Sequence, residues 1–237
     1  MSYEDFDVES LAKYLHIAAA QVQRMVDRGK LPGRRIAGAW RFSPADIHHW
    51  LEDRIGVSDD AELAEVEGTL QRTQGVSAEP LSSLVDLLPA EAIAVPLDAR
   101  TRGSVISAMV ELAARTGWLW DTDQMADAVR LRESLHPTAL DNGVALLHPR
   151  RPLATILAQP LLAFGRTSQG MPFGHPHGTL TDLFFLICST DDRTHLRVLA
   201  RLSRILANAE FLSALRDAAT PRDVREAIRR YENELPE

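Results

Sequence analysis

Apolar residues in the N-terminal part of the chain recur at helical spacing, interrupted by glycine and proline. The pattern predicts one helix over residues 8–15, with Asp7 as its N-cap, and a second over 19–28 that a glycine ends. The stretch 31–42 contains a glycine-containing turn, and we predict two short strands on either side of it. A Ser-Pro-Ala-Asp sequence beginning at residue 43 is a typical helix start and predicts a third helix.

The rest of the chain has a different pattern. Residues 59–74 are acidic, with apolar residues along one helical face, and predict a short helix. From residue 81 onward, amphipathic helical stretches alternate with the continuous apolar runs that are typical of buried strands. The predicted helices cover 102–116, 122–135, 192–207, 208–218 and 221–233. The predicted strands cover 93–97, 144–147, 154–157, 161–164 and 183–188.

These patterns predict a multi-domain α/β chain. Two helices, a basic hairpin and a third helix make residues 1–56 a winged helix-turn-helix candidate. Residues 81–237 are predicted to form an α/β layer domain with a central mixed sheet flanked by helices. Between them, residues 57–80 are predicted to be a helical linker, whose apolar stripe is too short for a stable coiled coil but offers a possible homodimer contact.

Charge is spread unevenly along the chain. The formal net charge is −7, yet residues 1–56 contain eight basic and eight acidic side chains, so the remaining residues carry the whole excess. Within the first segment, residues 24–41 contain six basic side chains and one acidic side chain. A local basic surface on an acidic protein indicates contact with a polyanion at that surface.

Other features of the composition indicate a cytoplasmic protein with no membrane association. The sequence lacks an apolar run long enough for a transmembrane helix, and its acidic N-terminus does not resemble a signal peptide. The single cysteine, Cys188, lies in an apolar stretch, which favours a buried and inert thiol.

The stretch LAKYLHIAAAQVQRMVDRGKLPGRRIAGAWRFSPADIHHWLE resembles the excisionase and MerR-type helix-turn-helix family. The resemblance rests on the apolar first helix, the Arg-Gly-Lys-Leu-Pro turn at 28–32, the Trp-Arg-Phe sequence at 40–42 and the closing Trp-Leu pair. One departure is the run Ala18-Ala19-Ala20, where the family usually has Ser, Thr or Lys at the start of the recognition helix.

The helix-turn-helix resemblance implies that double-stranded DNA is a partner. A helix bearing Gln and Arg fits the major groove, and arginines on a hairpin wing bind phosphates. The implied DNA-binding residues are Gln21, Gln23, Arg24 and Arg28 on the second helix, with Arg34, Arg35 and Arg41 on the wing. The alternative is that the arginines only solvate an exposed helix, with the unit binding another protein or stabilising a dimer.

The most informative position in the second domain is His148, which directly follows the apolar strand at 144–147. An imidazole at a strand end can serve as a nucleophile, a base, a metal ligand or a core residue. Attack on a phosphoryl donor needs in-line positioning and positive charge around the transferred oxygens, and Arg132, Arg150 and Arg151 are candidates to supply that charge.

Several motifs in order resemble the type 2 enzyme IIA family, which includes the fructose, mannitol and nitrogen-regulatory members of the bacterial phosphoenolpyruvate phosphotransferase system. The motifs are Leu-Arg-Glu-Ser at 131–134, Pro-Thr at 137–138, Asn-Gly-Val-Ala-Leu-Leu-His at 142–148, Phe-Gly-Arg at 164–166, Gly-Met-Pro-Phe at 170–173 and Thr-His-Leu-Arg-Val-Leu at 194–199. The resemblance spans roughly residues 81–235.

The enzyme IIA resemblance implies a catalytic set. It implies that His148 accepts a phosphoryl group from the histidine-containing phosphocarrier protein, and that His195 lies beside it and hydrogen-bonds that group. Arg132 takes the place of the family's motif arginine, and neither a metal nor an organic cofactor is implied. Leu147 and Pro149 flank His148 where the family usually has a proline before and a small residue after the active histidine.

Two alternatives remain open for the second domain. It acts either as a phosphoryl acceptor or as a degenerate enzyme IIA-like module that works only by protein or DNA binding. A separate metal site at His175 and His177 is disfavoured, because no cysteine or carboxylate cluster near them in sequence completes a tetrahedral set, and a polar loop is expected there.

Overall fold

The computed structural model describes residues 5–15, 18–43, 46–47, 50 and 83–235. The chain divides into two compact units, one formed chiefly by residues up to 80 and the other chiefly by those that follow. The predicted helix at 59–74 and the linker at 57–80 lie outside the described residues.

The N-terminal unit begins with two helices, α1 (Val8–Leu15) and α2 (Ala19–Asp27), as the apolar spacing predicts. Asp7 caps α1 as predicted, because its Oδ1 accepts a 2.7 Å hydrogen bond from the Ser10 amide. The same hydrogen bond lowers the pKa of Asp7. Ala18 precedes α2 and provides no side-chain cap, so the Ala run leaves the start of this helix without a side-chain acceptor.

The predicted hairpin consists of β1 (Arg34–Ile36) and β2 (Ala39–Arg41), paired antiparallel. Both turn residues have positive φ, 49° at Ala37 and 81° at Gly38, as a tight two-residue hairpin turn requires. The first bonds of the predicted third helix are present, since the Ser43 carbonyl accepts from the amides of residues 46 and 47.

A four-stranded mixed sheet forms the centre of the C-terminal unit, as predicted. Its strands are β3 (Ile93–Ala94), β4 (Val144–Leu147), β5 (Leu161–Pro172) and β6 (Leu180–Cys188). The order across the sheet is β3-β5-β6-β4, with an antiparallel central pair and a parallel strand at each edge. All four residues of β4 are buried, which accounts for its uninterrupted apolar sequence.

The helices that flank this sheet begin at the capping signals in the sequence. They are α3 (Arg102–Ala114), α4 (Thr122–Leu135), α5 (Asp192–Leu206), α6 (Ala209–Asp217) and α7 (Pro221–Asn233). Thr220 and Asp223 form a reciprocal capping box at α7, which lowers the pKa of Asp223 through the Thr220 hydrogen bonds. In the described part of the chain, no helix combines the length and apolar character needed to cross a membrane.

Two predicted strands need correction. The stretch 154–157 is a short 3₁₀ turn, Ala154–Ile156, followed by a single antiparallel bridge between Leu119 and Leu157. Prolines at 152 and 160 bracket the stretch and lack the N–H that a ladder needs, so the apolar run cannot extend as a sheet strand. The strand predicted at 93–97 is limited to two residues, and Pro96 removes a ladder donor in the same way.

Candidate functional site

Two parallel strands bring the two predicted histidines to one edge of the sheet. Leu147, the last residue of β4, lies opposite Leu186 of β6. His148 follows β4 directly, while β6 ends at Cys188 and the chain then enters α5, which contains His195. Because parallel strands end at the same edge, residues far apart in sequence meet there.

The rings of His148 and His195 are neighbours. Their centroids are 5.1 Å apart and their planes are inclined by 54°. Both residues are buried, with 3% of His148 and 2% of His195 exposed. The structure therefore places the two imidazoles side by side, as predicted. Because both are buried, a reaction partner reaches them only if the residues that cover them move.

The backbone determines which nitrogen of His148 bears the proton. Its Nδ1 lies 2.8 Å from the carbonyl oxygen of Leu146. A carbonyl oxygen only accepts hydrogen bonds, so Nδ1 donates, and in the neutral ring the nucleophilic lone pair is on Nε2. A strand residue two positions earlier thus selects the tautomer.

The first turn of α5 positions His195. Asp191 caps this helix, accepting a 2.8 Å hydrogen bond from the Thr194 amide, and its carbonyl accepts from the His195 amide. The His195 Nδ1 lies 3.4 Å from the buried Ser189 hydroxyl. When that hydroxyl donates to Nδ1, the N–H of a neutral His195 ring is on Nε2.

Arg132 lies in the last turn of α4 and is buried. Its Nη1 donates a 2.8 Å hydrogen bond to the carbonyl of His136, the C-cap residue of the same helix. Nη1 of this guanidinium therefore hydrogen-bonds the C-terminal end of α4. Arg150 and Arg151 are exposed beyond the strand that carries His148.

Sequence reasoning missed the buried carboxylate of Glu133. Its Oε1 accepts hydrogen bonds from the Thr138 amide, at 3.0 Å, and from the Thr138 hydroxyl, while Oε2 lies 2.8 Å from Arg102 Nη2. The Thr138 carbonyl then accepts from the amide of Leu146, whose own carbonyl accepts from His148. This hydrogen-bonded series links α4 to the strand that presents His148. The only indication of this role in the sequence was the position of Glu133, directly after the motif arginine Arg132.

Replacing Glu133 by alanine is expected to destabilise the protein by about 3 kcal/mol, because it leaves a buried amide and hydroxyl without their acceptor. Urea unfolding measures the change. Glu133→Gln is the control, since it keeps one carbonyl acceptor for Thr138 and loses the charge and the second oxygen that accepts from Arg102. Equal stability of the alanine variant and the unmodified protein would contradict a structural role for the series.

On α2 and at its C-cap, Arg28, the predicted DNA-binding residues separate into two groups. Gln21, Arg24 and Arg28 are exposed and follow one another at helical spacing, so they form one stripe. Gln23 lies on another face, where its Nε2 donates to both carboxylate oxygens of Asp27 at 3.0 Å. The exposed stripe therefore presents three long polar side chains.

The wing arginines all have intramolecular contacts. Arg34 Nη2 is 2.7 Å from Asp5 Oδ2, which raises the pKa of the arginine. The Arg35 guanidinium lies 4.9 Å from the Trp40 ring centroid, and Arg41 donates to the Trp40 carbonyl at 3.1 Å. Arg34 and Arg35 are exposed and Arg41 is half-buried. These contacts orient the arginines, although binding phosphate through Arg34 means competing with Asp5.

Comparison with known proteins identifies two family models. The model for the phosphoenolpyruvate-dependent sugar phosphotransferase system, EIIA 2, matches residues 86–231, and a helix-turn-helix domain model matches residues 6–55. These matches confirm the predicted fusion. The finer excisionase assignment stays a prediction.

Relatives and a solved structure resemble the C-terminal part. The fructose-specific EIIABC component of Bacillus subtilis is 28% identical over 151 residues, which are 63% of this chain but only 23% of that protein. A nitrogen regulatory protein from Bradyrhizobium diazoefficiens is 31% identical over 137 residues, 56% of this chain and 86% of its own length. The crystal structure of the nitrogen regulatory protein IIA-Ntr from Neisseria meningitidis shares the fold, with a TM-score of 0.56 and 23% identity over 61% of this chain and 98% of that one.

Proposed function

The chain belongs to the EIIA type 2 family of the phosphoenolpyruvate-dependent sugar phosphotransferase system, and we propose that its His148 accepts a phosphoryl group from a histidine-containing phosphocarrier protein. The observation that carries the proposal is the adjacent pair of imidazoles, of which His148 has its lone pair on Nε2. In the transfer, the bond from phosphorus to the carrier's imidazole breaks as the bond to Nε2 of His148 forms. The carrier's ring, protonated on its other nitrogen, leaves as neutral imidazole, and His148 becomes the phosphoimidazolium with its own proton still on Nδ1.

His195 supports this step by donating a hydrogen bond. When Ser189 donates to Nδ1, the neutral His195 ring carries its proton on Nε2, and in this proposal that N–H donates to a phosphoryl oxygen on the neighbouring ring. Charge on the transferred oxygens develops during the reaction, and a positioned donor stabilises it. Arg132 adds positive charge near the site in this proposal.

The burial of both rings supports a second candidate function. A phosphocarrier must reach Nε2, yet only 3% of His148 is exposed. A module whose site stays closed acts by binding alone, and Pro149, which has no N–H to offer a phosphate, fits that alternative. Incubating the full chain with labelled phosphoenolpyruvate, enzyme I and the phosphocarrier protein distinguishes the two. Label that is acid-labile and alkali-stable supports transfer, and no label supports the binding module.

In the same assay, His195→Gln is expected to slow labelling by about 10- to 100-fold without abolishing it, because it weakens a hydrogen bond to the transition state but leaves the nucleophile. Initial rates at saturating phosphocarrier measure the effect. His136→Gln is a matched control, since His136 is exposed. Complete loss of label in a His195 variant that keeps its fold would contradict a merely supporting role for His195.

We further propose that the N-terminal unit binds double-stranded DNA, which makes the chain a transcription regulator. The stripe of Gln21, Arg24 and Arg28 on α2 supports this, since one exposed helix face carries base-reading side chain types. Helix-turn-helix units commonly bind as dimers, and a homodimer is part of the proposal. Phosphate contacts make such binding salt-dependent, so duplex affinity measured over a salt series tests it.

Phosphorylation of His148 is proposed to regulate this DNA binding. A phosphoryl group adds a charge near −2, enough to change how charged surfaces associate. Equal affinity of the phosphorylated and unmodified chains for a selected duplex would remove the regulatory link while leaving both activities intact.

A further inference from the structure

We propose that Asp141, His175 and His177 form a binding site for a divalent transition-metal ion. The three come from two loops, one before β4 and one between β5 and β6, so the site lies at the opposite end of these strands from His148. One potential ligand atom from each residue lies within 4.8 Å of the other two. The sequence places Asp141 more than thirty residues from the histidines, which is why the spacing of the His-Pro-His motif did not show a third ligand.

The distances suit one metal ion. His175 Nε2 is 2.9 Å and His177 Nδ1 is 3.7 Å from the same oxygen, Oδ1 of Asp141. Ligand atoms about 2.0–2.2 Å from a tetrahedral zinc ion lie roughly 3.4 Å from one another, and the two measured distances lie on either side of that value. Small side-chain rotations therefore bring all three atoms into coordination.

The backbone holds the histidine loop in place. Gly174 and Gly178, on either side of the motif, have φ of +93° and +74°, which side-chain-bearing residues rarely adopt. The Gly178 amide donates a 3.0 Å hydrogen bond to the His175 carbonyl and closes a turn. The His175 side chain is only 7% exposed, so its ring is already immobilised.

The loop that bears Asp141 is fixed just as firmly. The Asn142 side chain donates to the Leu206 carbonyl at 3.0 Å, and the backbone carbonyl of Asn142 accepts from Arg216 Nη2 at 2.8 Å. Arg216 in turn pairs with Asp182 at the start of β6, which raises the arginine's pKa. A site whose loop backbone and one of whose rings are already ordered loses less conformational entropy when a metal binds.

The ligand types favour borderline metals. Imidazole with carboxylate suits Zn²⁺, Co²⁺, Ni²⁺ or Cu²⁺ rather than Mg²⁺ or Ca²⁺. Without metal, His175 Nδ1 accepts a long, 3.3 Å hydrogen bond from the His177 amide, and Nε2 donates to Asp141. When a metal ion binds Nε2, the ring proton moves to Nδ1. The long hydrogen bond from the His177 amide to Nδ1 is then lost, and the coordinate bond at Nε2 is gained. Three protein ligands leave a position for water or another small donor.

Titration of the full chain with Zn²⁺ against a chromophoric chelator, and with Co²⁺ by visible absorption, tests the site. The expected result is one equivalent bound, with cobalt bands typical of nitrogen and oxygen ligands. Mutating a residue that only hydrogen-bonds a metal ligand lowers metal affinity by about 10- to 100-fold. His177→Ala and Asp141→Asn each alter a ligand itself, so each should lower zinc affinity by at least that factor. Both side chains are 82% exposed, so these variants keep the fold.

Two control variants separate this site from other imidazoles. His136→Ala and His148→Ala should bind metal as the unmodified chain does, so the result is independent of the phosphoryl-transfer proposal. Zinc binding that survives in both the His177→Ala and the Asp141→Asn variant would overturn the assignment. So would a titration in which the unmodified chain fails to bind one equivalent of zinc in competition with a much weaker chelator. Failure of phosphoryl labelling, by contrast, leaves this site untouched.

Discussion

Replacing His148 by alanine is expected to reduce phosphoryl labelling to background, a fall of at least about 10³-fold, because no remaining group replaces the lost nucleophile. The backbone contact of Nδ1 with the Leu146 carbonyl leaves Nε2 as the attacking atom. The measurement is the amount of label transferred from phosphoenolpyruvate through enzyme I and the phosphocarrier protein.

Loss of label must be separated from loss of structure, since His148 is buried. His148→Gln is therefore made alongside the alanine variant, because its amide keeps most of the volume and offers an N–H to the Leu146 carbonyl. Unfolding curves and circular dichroism report on both variants. His177→Ala, at an exposed imidazole elsewhere in the unit, should keep full labelling. Label retained by both His148 variants would exclude His148 as the acceptor.

Removing Arg24 and Arg28 together is expected to lower duplex affinity by about 100-fold or more, since one arginine contact to a base is worth about 1–3 kcal/mol. Both residues are exposed, Arg24 on α2 and Arg28 as its C-cap, so the double alanine variant removes charge without opening the core. The dependence of affinity on salt should also become shallower, by about one unit of slope for each arginine that binds a phosphate in the unmodified protein. A duplex selected from a random pool, with binding followed by fluorescence anisotropy, provides the measurement.

Arg130→Ala is a control for the loss of one positive charge, half of the change made in the double variant. Arg130 is an exposed arginine of α4 that pairs with Asp127 at 2.8 Å, so its removal changes net charge without touching the proposed DNA surface. Arg34→Ala is a second comparison, and a smaller loss is expected because its guanidinium already pairs with Asp5. Unchanged affinity in the Arg24 and Arg28 variant, with the fold intact, would favour a protein-binding role for the unit.

Local signals in the sequence predicted most of the fold. The strand at 144–147 was predicted from its four consecutive apolar residues, and α1 from its apolar spacing and the N-cap Asp7. The pairing of His148 with His195 came from resemblance to a known family, and no local pattern of residues contained it. The topology explains it, since β4 and β6 run parallel and end together.

Features formed by residues that are far apart in sequence and meet only in the folded chain were not predicted. The His-Pro-His motif showed two candidate metal ligands, and Asp141 lies beside them only because two loops meet at one end of the sheet. In the sequence Glu133 resembles an ordinary helix residue, and only the structure shows that its carboxylate accepts from Thr138 and pairs with Arg102. Likewise, β5 extends to Pro172 beyond the predicted 161–164, because pairing with β6 sustains a polar, partly exposed stretch that hydrophobicity does not indicate.

Burial of Cys188 has a practical consequence for studying this chain. It is the only cysteine in the sequence, and its removal from water raises the pKa of the thiol to about 12. At neutral pH the native protein therefore offers almost no thiolate to a maleimide reagent. A cysteine introduced on an exposed helix would be modified alone, so fluorophores or spin labels can be attached to the wild-type background at chosen points without first deleting the native residue.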